Sequence, residues 1–284
     1  MRLILVVTTL ATALSACGPM NPRVSEIDFG SAKRDYVYDD NGLLVEMVQS
    51  SDGGNDRTTT FTYDGTRLDE VEVVQENSPT TTYTFNHDGD LLEGVAIDYG
   101  ANDETATIEH QYDGALLEET DVEFDFGDLR ITYNTKYFYS DGKLTSSEVE
   151  SVTDFGILGS ATSTTSQTLT WDGAQLTDAE RTTEDNGETT TDDFAFSYNS
   201  DNRLDNIEGE GFDVDINYDD NGRIASYDGT DDDGAFDVEY TYEDGAVSGV
   251  QFTPLHAFGD LFDLGGQAFG TPHNKSRAVL VVGF

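Results

Sequence analysis

Apolar and polar positions alternate along most of this chain, and the alternation is organised into a recurring unit. Two aromatic or apolar residues stand at i and i+2, Asp or Asn with Gly follows, and a branched aliphatic residue comes shortly after. The unit occurs as Tyr36-Val37-Tyr38-Asp39-Asp40-Asn41-Gly42-Leu43, as Phe61-Thr62-Tyr63-Asp64-Gly65 with Leu68, and as Tyr83-Thr84-Phe85 with Asp88, Gly89 and Leu91. It continues as Tyr112-Asp113-Gly114 with Leu116, Tyr137-Phe138-Tyr139 with Asp141, Gly142 and Leu144, and Leu169-Thr170-Trp171-Asp172-Gly173 with Leu176. The last three of the nine copies are Phe196-Ser197-Tyr198 with Asp201, Asn202 and Leu204, Ile216-Asn217-Tyr218-Asp219-Asp220-Asn221-Gly222 with Ile224, and Tyr240-Thr241-Tyr242 with Asp244, Gly245 and Val247.

Residues two apart on a strand share a face, so the rings point one way and the Thr, Ser or Asn between them points the other. Asp-Gly and Asn-Gly supply the positive φ that a tight hairpin turn requires. Each copy therefore predicts a hairpin. The Gly or Asn landmarks at 42, 65, 89, 114, 142, 173, 202, 222 and 245 lie 20 to 31 residues apart, room for two strands of about 5–9 residues and two turns. No 3.6-residue pattern interrupts the series. The expected fold is all-β: an antiparallel meander of about 18 strands built from nine hairpin units over residues 34–250. An exposed aromatic face that long is an aggregation hazard, so the meander is expected to curl into a barrel or half-barrel.

Residues 251–284 break the period. The stretch from Thr253 to Gly266 is apolar and glycine-rich, which predicts a plug covering the sheet, and the run from Ala278 to Phe284 predicts a last strand. A terminal Phe after apolar residues also suits an outer-membrane barrel strand. A membrane barrel, however, needs an outward apolar band on every strand, whereas the face opposite the rings carries Thr, Ser, Asp and Glu.

The copies at 36–43 and 216–224 resemble the YD repeat, an aromatic-x-Tyr-Asp-x-x-Gly-Arg/Leu-Leu/Ile pattern. Such repeats build the β-shells of Rhs and teneurin proteins, and also small bacterial lipoproteins of uncharacterised activity. The resemblance covers about residues 34–250 and implies a β-shell without a defined chemistry. No counterpart of the Rhs autoproteolytic core or of a toxin-like domain follows the repeats.

The first residues change the picture by giving an address. Met1-Arg2 precedes an apolar to weakly polar run, Leu3 to Leu14, and then Ser15-Ala16-Cys17. Twelve residues are too few to cross a hydrocarbon core of ~30 Å as a helix, and the basic start with small residues before a cleavage point reads as a secretory signal. Leu14-Ser15-Ala16-Cys17 resembles a lipobox, with Cys17, the chain's one cysteine, as the lipid acceptor. The expected division is a signal peptide at 1–16, lipidated Cys17 and a tether at 17–33, the repeat domain at 34–250 and the covering segment at 251–284. Gly18 after the acceptor points to the outer membrane.

Charge narrows the partners. With 57 Asp and Glu against 14 Lys and Arg, the formal charge is −43, a field that repels phosphate backbones and anionic headgroups alike. Nucleic acid is excluded, and membrane attachment falls to the Cys17 lipid. The acids are spread along the whole chain, which favours a solvating role. An envelope protein or polysaccharide is the expected partner, and a monomer the expected state.

Candidate chemistry is sparse. Asp213, Asp215, Asn217 and Asp219 alternate, and Asp220 follows in a turn. Asp213, Asp215, Asp219 and Asp220 are thus weak Ca²⁺ candidates, although the loop that wraps calcium in an EF-hand is missing. The histidines, His87, His110, His256 and His273, lie too far apart in sequence for a zinc motif; His87 is read as a polar turn residue. No nucleophile elbow or phosphate-cradling loop is present, and no catalytic residue or cofactor is assigned. Trp171 and the same-face rings are read as core in preference to a sugar platform. The function expected is a lipid-anchored, non-enzymatic binding or structural module of the cell envelope. The alternative is a carbohydrate-active or other hydrolase using paired carboxylates.

Overall fold

The computed structural model describes residues 22–246, apart from 30–31, 52–53, 55, 90, 101–103, 115 and 232–233. Eighteen strands run in order: β1 (Pro22–Asp28), β2 (Ala32–Tyr38), β3 (Leu44–Ser51), β4 (Arg57–Asp64), β5 (Arg67–Gln75), β6 (Thr81–Asp88), β7 (Leu91–Asp98), β8 (Thr105–Asp113) and β9 (Leu116–Asp125). They continue as β10 (Arg130–Ser140), β11 (Lys143–Asp154), β12 (Ser160–Asp172), β13 (Gln175–Asp185), β14 (Glu188–Tyr198), β15 (Leu204–Gly209), β16 (Phe212–Tyr218), β17 (Ile224–Asp231) and β18 (Gly234–Ala246). Each pairs antiparallel with its sequence neighbours, and β1 pairs with β18, so the meander closes into a barrel.

Eight of the copies are hairpins between an even strand and the following odd one, with all eight aromatic-Asp turns at one rim. The ninth is completed differently. Residues 234–246 continue as one strand, and the partner of its aromatic pair is β1: Tyr242 faces Val24 and Tyr240 faces Ile27. Residues 22–28, assigned by sequence to a tether, are thus the strand that closes the ring. They lack the aromatic signature because they occupy the aliphatic side of a unit whose aromatic side lies at the other end of the described chain.

The alternation survives intact in strands such as β4 and β6, where Thr59, Phe61, Tyr83 and Phe85 are buried and Thr60, Thr62 and Thr84 are exposed. The buried side chains join one core that includes Tyr36, Leu44, Phe85, Phe124, Leu176, Ile207, Val214 and Tyr240. The outer surface carries the acids and hydroxyls. This is the reverse of a membrane barrel, which is apolar outside and polar within.

A repeated polar detail locks neighbouring units together. In every copy but that of Phe85, the last aromatic donates a hydrogen bond to a backbone carbonyl in the unit before it, that of the aliphatic residue paired with the earlier unit's own ring: Tyr63 to Leu44, Tyr112 to Leu92, Tyr139 to Leu117, Trp171 to Leu144, Tyr198 to Leu176, Tyr218 to Leu204 and Tyr242 to Ile224, at 2.6–3.0 Å. Tyr38 completes the circle through Val24 of β1. The acceptors are available because successive units step along the barrel. The β3–β4 ladder, for example, ends at Glu46 opposite Thr60, leaving Leu44 beyond it. A bulge beside each of the eight turns, such as that between Val37 and Tyr38, turns the ring toward its acceptor. In four units the residue before the acceptor is a cation that covers the ring: Arg23 lies over Tyr38, Lys143 over Trp171, Arg203 over Tyr218 and Arg223 over Tyr242, 4.5–5.5 Å from the ring centroids. Gly222, at φ +76, passes so close to the Arg203 guanidinium that a Cβ would meet it at 2.2 Å.

Candidate functional site

Counting inward residues from the turn rim, β2 presents Tyr38, Tyr36 and Arg34 while β3 presents Leu44, Met47 and Gln49. In the unit of β12 and β13 the sequence is Trp171, Leu169 and Gln167 opposite Leu176, Ala179 and Arg181. Both third positions are therefore an Arg–Gln couple facing inward, five units apart on a ring of nine. The alternation that builds strands places these groups inside irrespective of their polarity, and register fixes each beside its partner.

The couple on β12 and β13 belongs to a polar inner wall. Tyr137, Ser147, Gln167, Arg181 and Asp192 pair in one line across β10–β14. The line one step further from the turn rim runs His110, Thr120, Thr135, Val149, Thr165, Thr183 and Thr190 across β8–β14. Ser147, Gln167 and Arg181 are 0%, 1% and 4% exposed. Arg181 donates to Asp192, with Nε to Oδ2 at 3.2 Å, and its guanidinium lies 5.7 Å from the centroid of the Phe194 ring. Phe194 in turn folds over Gly209, where a Cβ would come within 2.8 Å of the ring. The Ser147 hydroxyl, both polar atoms of the Gln167 amide and Nη1 of Arg181 have no hydrogen-bond partner among the described residues. His110 bonds Thr120 through Nδ1 at 3.0 Å, and burial lowers its pKa.

The couple on β2 and β3 differs in charge. Arg34, 1% exposed, donates from Nε to Oε1 of Gln49 at 3.2 Å and lies 4.7 Å from the centroid of Phe29. Its Nη2 is buried with no hydrogen-bond partner among the described residues. The residue of the next unit that pairs with Gln49 is Arg57, whereas the residue in the same place beside Arg181 is Asp192.

The calcium candidates are not brought together. Asp213 and Asp215 lie on the outer face of β16, where the Asn206 amide donates to both at 2.7 and 3.0 Å. Asp219 is committed to its turn: Oδ1 accepts from the backbone of Asn221 and Arg223, and Oδ2 from the Arg223 side chain at 2.7 Å. Burial raises the Asp219 pKa, but these bonds outweigh it and leave the group below its usual value. Asp220 stands exposed in the same turn. Among the described residues no cluster of three or more His, Cys, Asp or Glu is placed to hold a metal. On the outer face of β16–β18, Asp215, Asp228 and Asp237 stand in one line, and a hydrogen bond with Asp228 raises the Asp237 pKa.

His87, read from sequence as a turn residue, takes the place of the tyrosine in its copy. Its Nε2 lies 2.8 Å from the Leu68 carbonyl, so that nitrogen carries the proton. The pair Tyr83 and Phe85 sits one step deeper than its counterparts for this reason. A shallow outer groove brings Asp178, Glu180, Asp193 and Glu208 together with Thr168 and Thr170; all four acids are exposed or half-exposed and no apolar wall encloses any of them. Cys17, His256, His273 and the segment 251–284 lie outside the described residues.

No family model matches this chain, and no curated protein matches it in sequence. Among solved structures it is similar to a porin-like protein from Bacteroides vulgatus ATCC 8482, at 12% identity and a TM-score of 0.46, covering 78% of this chain and 99% of that one. A porin-like protein from Bacteroides uniformis ATCC 8492 is similar at 17% identity and a TM-score of 0.40, covering 79% and 99%.

Proposed function

We propose that this chain is a lipid-anchored module of the bacterial cell envelope, in which Cys17 carries the lipid and a YD-repeat barrel, standing in water at the outer membrane, acts in binding or scaffolding without catalysing a reaction. The observation that carries the reading is the polarity of the wall. Lipid-facing strands need an apolar exterior, while the outer positions here, such as Glu72, Glu93, Glu109, Glu150 and Glu180, are exposed acids. Attachment must then come from outside the barrel, and Cys17 is the residue equipped for it.

Closure of the ring by β1 shortens the link. Pro22 opens β1 opposite Ala246, at the rim of the aromatic-Asp turns. Four residues, Gly18 to Asn21, separate it from Cys17, a reach of about 13 Å at ~3.3 Å per residue. The turn rim is therefore held against the bilayer, and the opposite rim faces away from it. The exposed setting of Asp178, Glu180, Asp193 and Glu208 favours a binding module over a hydrolase, since an acid catalyst needs a carboxyl sheltered enough to hold its proton near neutrality.

The test is Cys17→Ala followed by fractionation of membranes and metabolic labelling with a fatty acid. The reading expects a folded barrel that takes up no label and leaves the membrane fraction, or persists as uncleaved precursor. Unchanged labelling and fractionation would refute it.

A further inference from the structure

The two inward Arg–Gln couples occupy the same place in their units, and they differ in what the following unit supplies. Beside Arg181 it supplies a carboxylate, Asp192. Beside Gln49 it supplies a second guanidinium, Arg57. Arg34 is almost wholly buried and makes no ion pair among the described residues; its contacts are the Gln49 amide and the face of Phe29. A guanidinium taken out of water without a counter-charge is strongly unfavourable. Cation–π contact with Phe29 offsets only part of that cost. The chain has 57 acidic residues from which a partner for this site could have been drawn, and the position beside Gln49 carries the opposite charge.

We propose that Arg34, Gln49 and Arg57 form an oxyanion-binding site on the inner face of β2–β4. The ligand is a small molecule bearing a carboxylate or a sulfate or phosphate group. Guanidinium groups match such oxygens in planar, paired hydrogen bonds. Among the described residues, the buried Arg34 Nη2 donor has no hydrogen-bond partner, and neither has the buried Thr59 hydroxyl on the same strand as Arg57. Adjacent strands hold their facing residues about 5 Å apart, so Arg34 and Arg57, flanking Gln49, reach one anion from two sides. The site lies toward the rim opposite the aromatic-Asp turns, the end that faces away from the bilayer. This inference rests on the reading of the barrel as a binding module and names the ligand class that the module takes.

The experiment follows thermal unfolding of the full mature chain in chloride, sulfate and glucuronate at equal ionic strength. Arg34→Met, Arg34→Gln and Arg181→Met are melted in parallel. Sulfate stabilises proteins in general by exclusion from their surface, so the quantity read is the increment that wild type shows over the Arg34 variants. Wild type is expected to rise by about 3–5 °C in sulfate or glucuronate at tenfold-saturating concentration. Both Arg34 variants lose that rise, and Arg181→Met, whose site is already neutralised by Asp192, keeps it. Whichever anion acts identifies the group as tetrahedral or carboxylate. Equal midpoints in all three salts, or an increment retained in the Arg34 variants, would overturn the proposal. Membrane fractionation of Arg34→Met reports on the anchored-module reading separately, and it is expected to match wild type whether or not the anion site exists.

Discussion

A tyrosine hydroxyl at the edge of a core is costly unless it finds an acceptor, and a backbone carbonyl beyond the end of a ladder is costly for the same reason. The repeat unit solves both problems with one hydrogen bond, which accounts for tyrosine, histidine or tryptophan at that place and never phenylalanine. Tyr198→Phe removes the donor to Leu176 while keeping the ring, and is expected to lower unfolding free energy by about 1–2 kcal/mol, measured by urea titration. His110 gives a second prediction at this scale. Its pKa is lowered by burial, so the unfolded chain takes up that proton first as pH falls. The contribution is therefore fully present above the ordinary histidine value and is lost as pH drops below it. Between pH 7 and 5, wild type is expected to lose more stability than His110→Asn; parallel loss would show that the group titrates normally when folded.

At the scale of elements, the aromatic pairs and Asp-Gly turns made the hairpins readable because period-two alternation and positive φ leave marks on sequence. β1 left none. It opens at Pro22, carries no aromatic, and is placed by its pairing with Tyr240 and Tyr242, more than two hundred residues away. His87 was missed for a related reason: its identity breaks the motif, while its ring nitrogen performs the same bond. The inward Arg–Gln couples were hidden because alternation predicts which way a side chain points without saying that a polar one at that place is unusual. Deleting residues 22–28 removes the buried Val24 and Ile27, about 3–6 kcal/mol of apolar burial, and exposes the edges of β2 and β18. The truncated chain is expected to lose cooperative unfolding and to aggregate. A peptide of residues 22–28 added in trans should restore a monodisperse species; a truncated chain that unfolds like wild type would show that the ring does not depend on β1.

For the whole molecule, the fold places an apolar, ring-filled interior behind a wall whose outer face is acidic. That arrangement separates this barrel from one that spans a bilayer, and the proposed reading assigns attachment to a lipid at Cys17. It also makes the inner face the place where recognition belongs, since Ser147, Gln167, Arg34 and Arg181 each hold there at least one buried polar atom that has no hydrogen-bond partner among the described residues. The most direct check is whether the mature chain bearing Cys17→Ser folds in plain buffer. The account predicts a β-rich monomer by circular dichroism and light scattering, with the same hydrodynamic size whether or not detergent is added. A chain that folds only with micelles, or that takes up detergent along its wall, would contradict it.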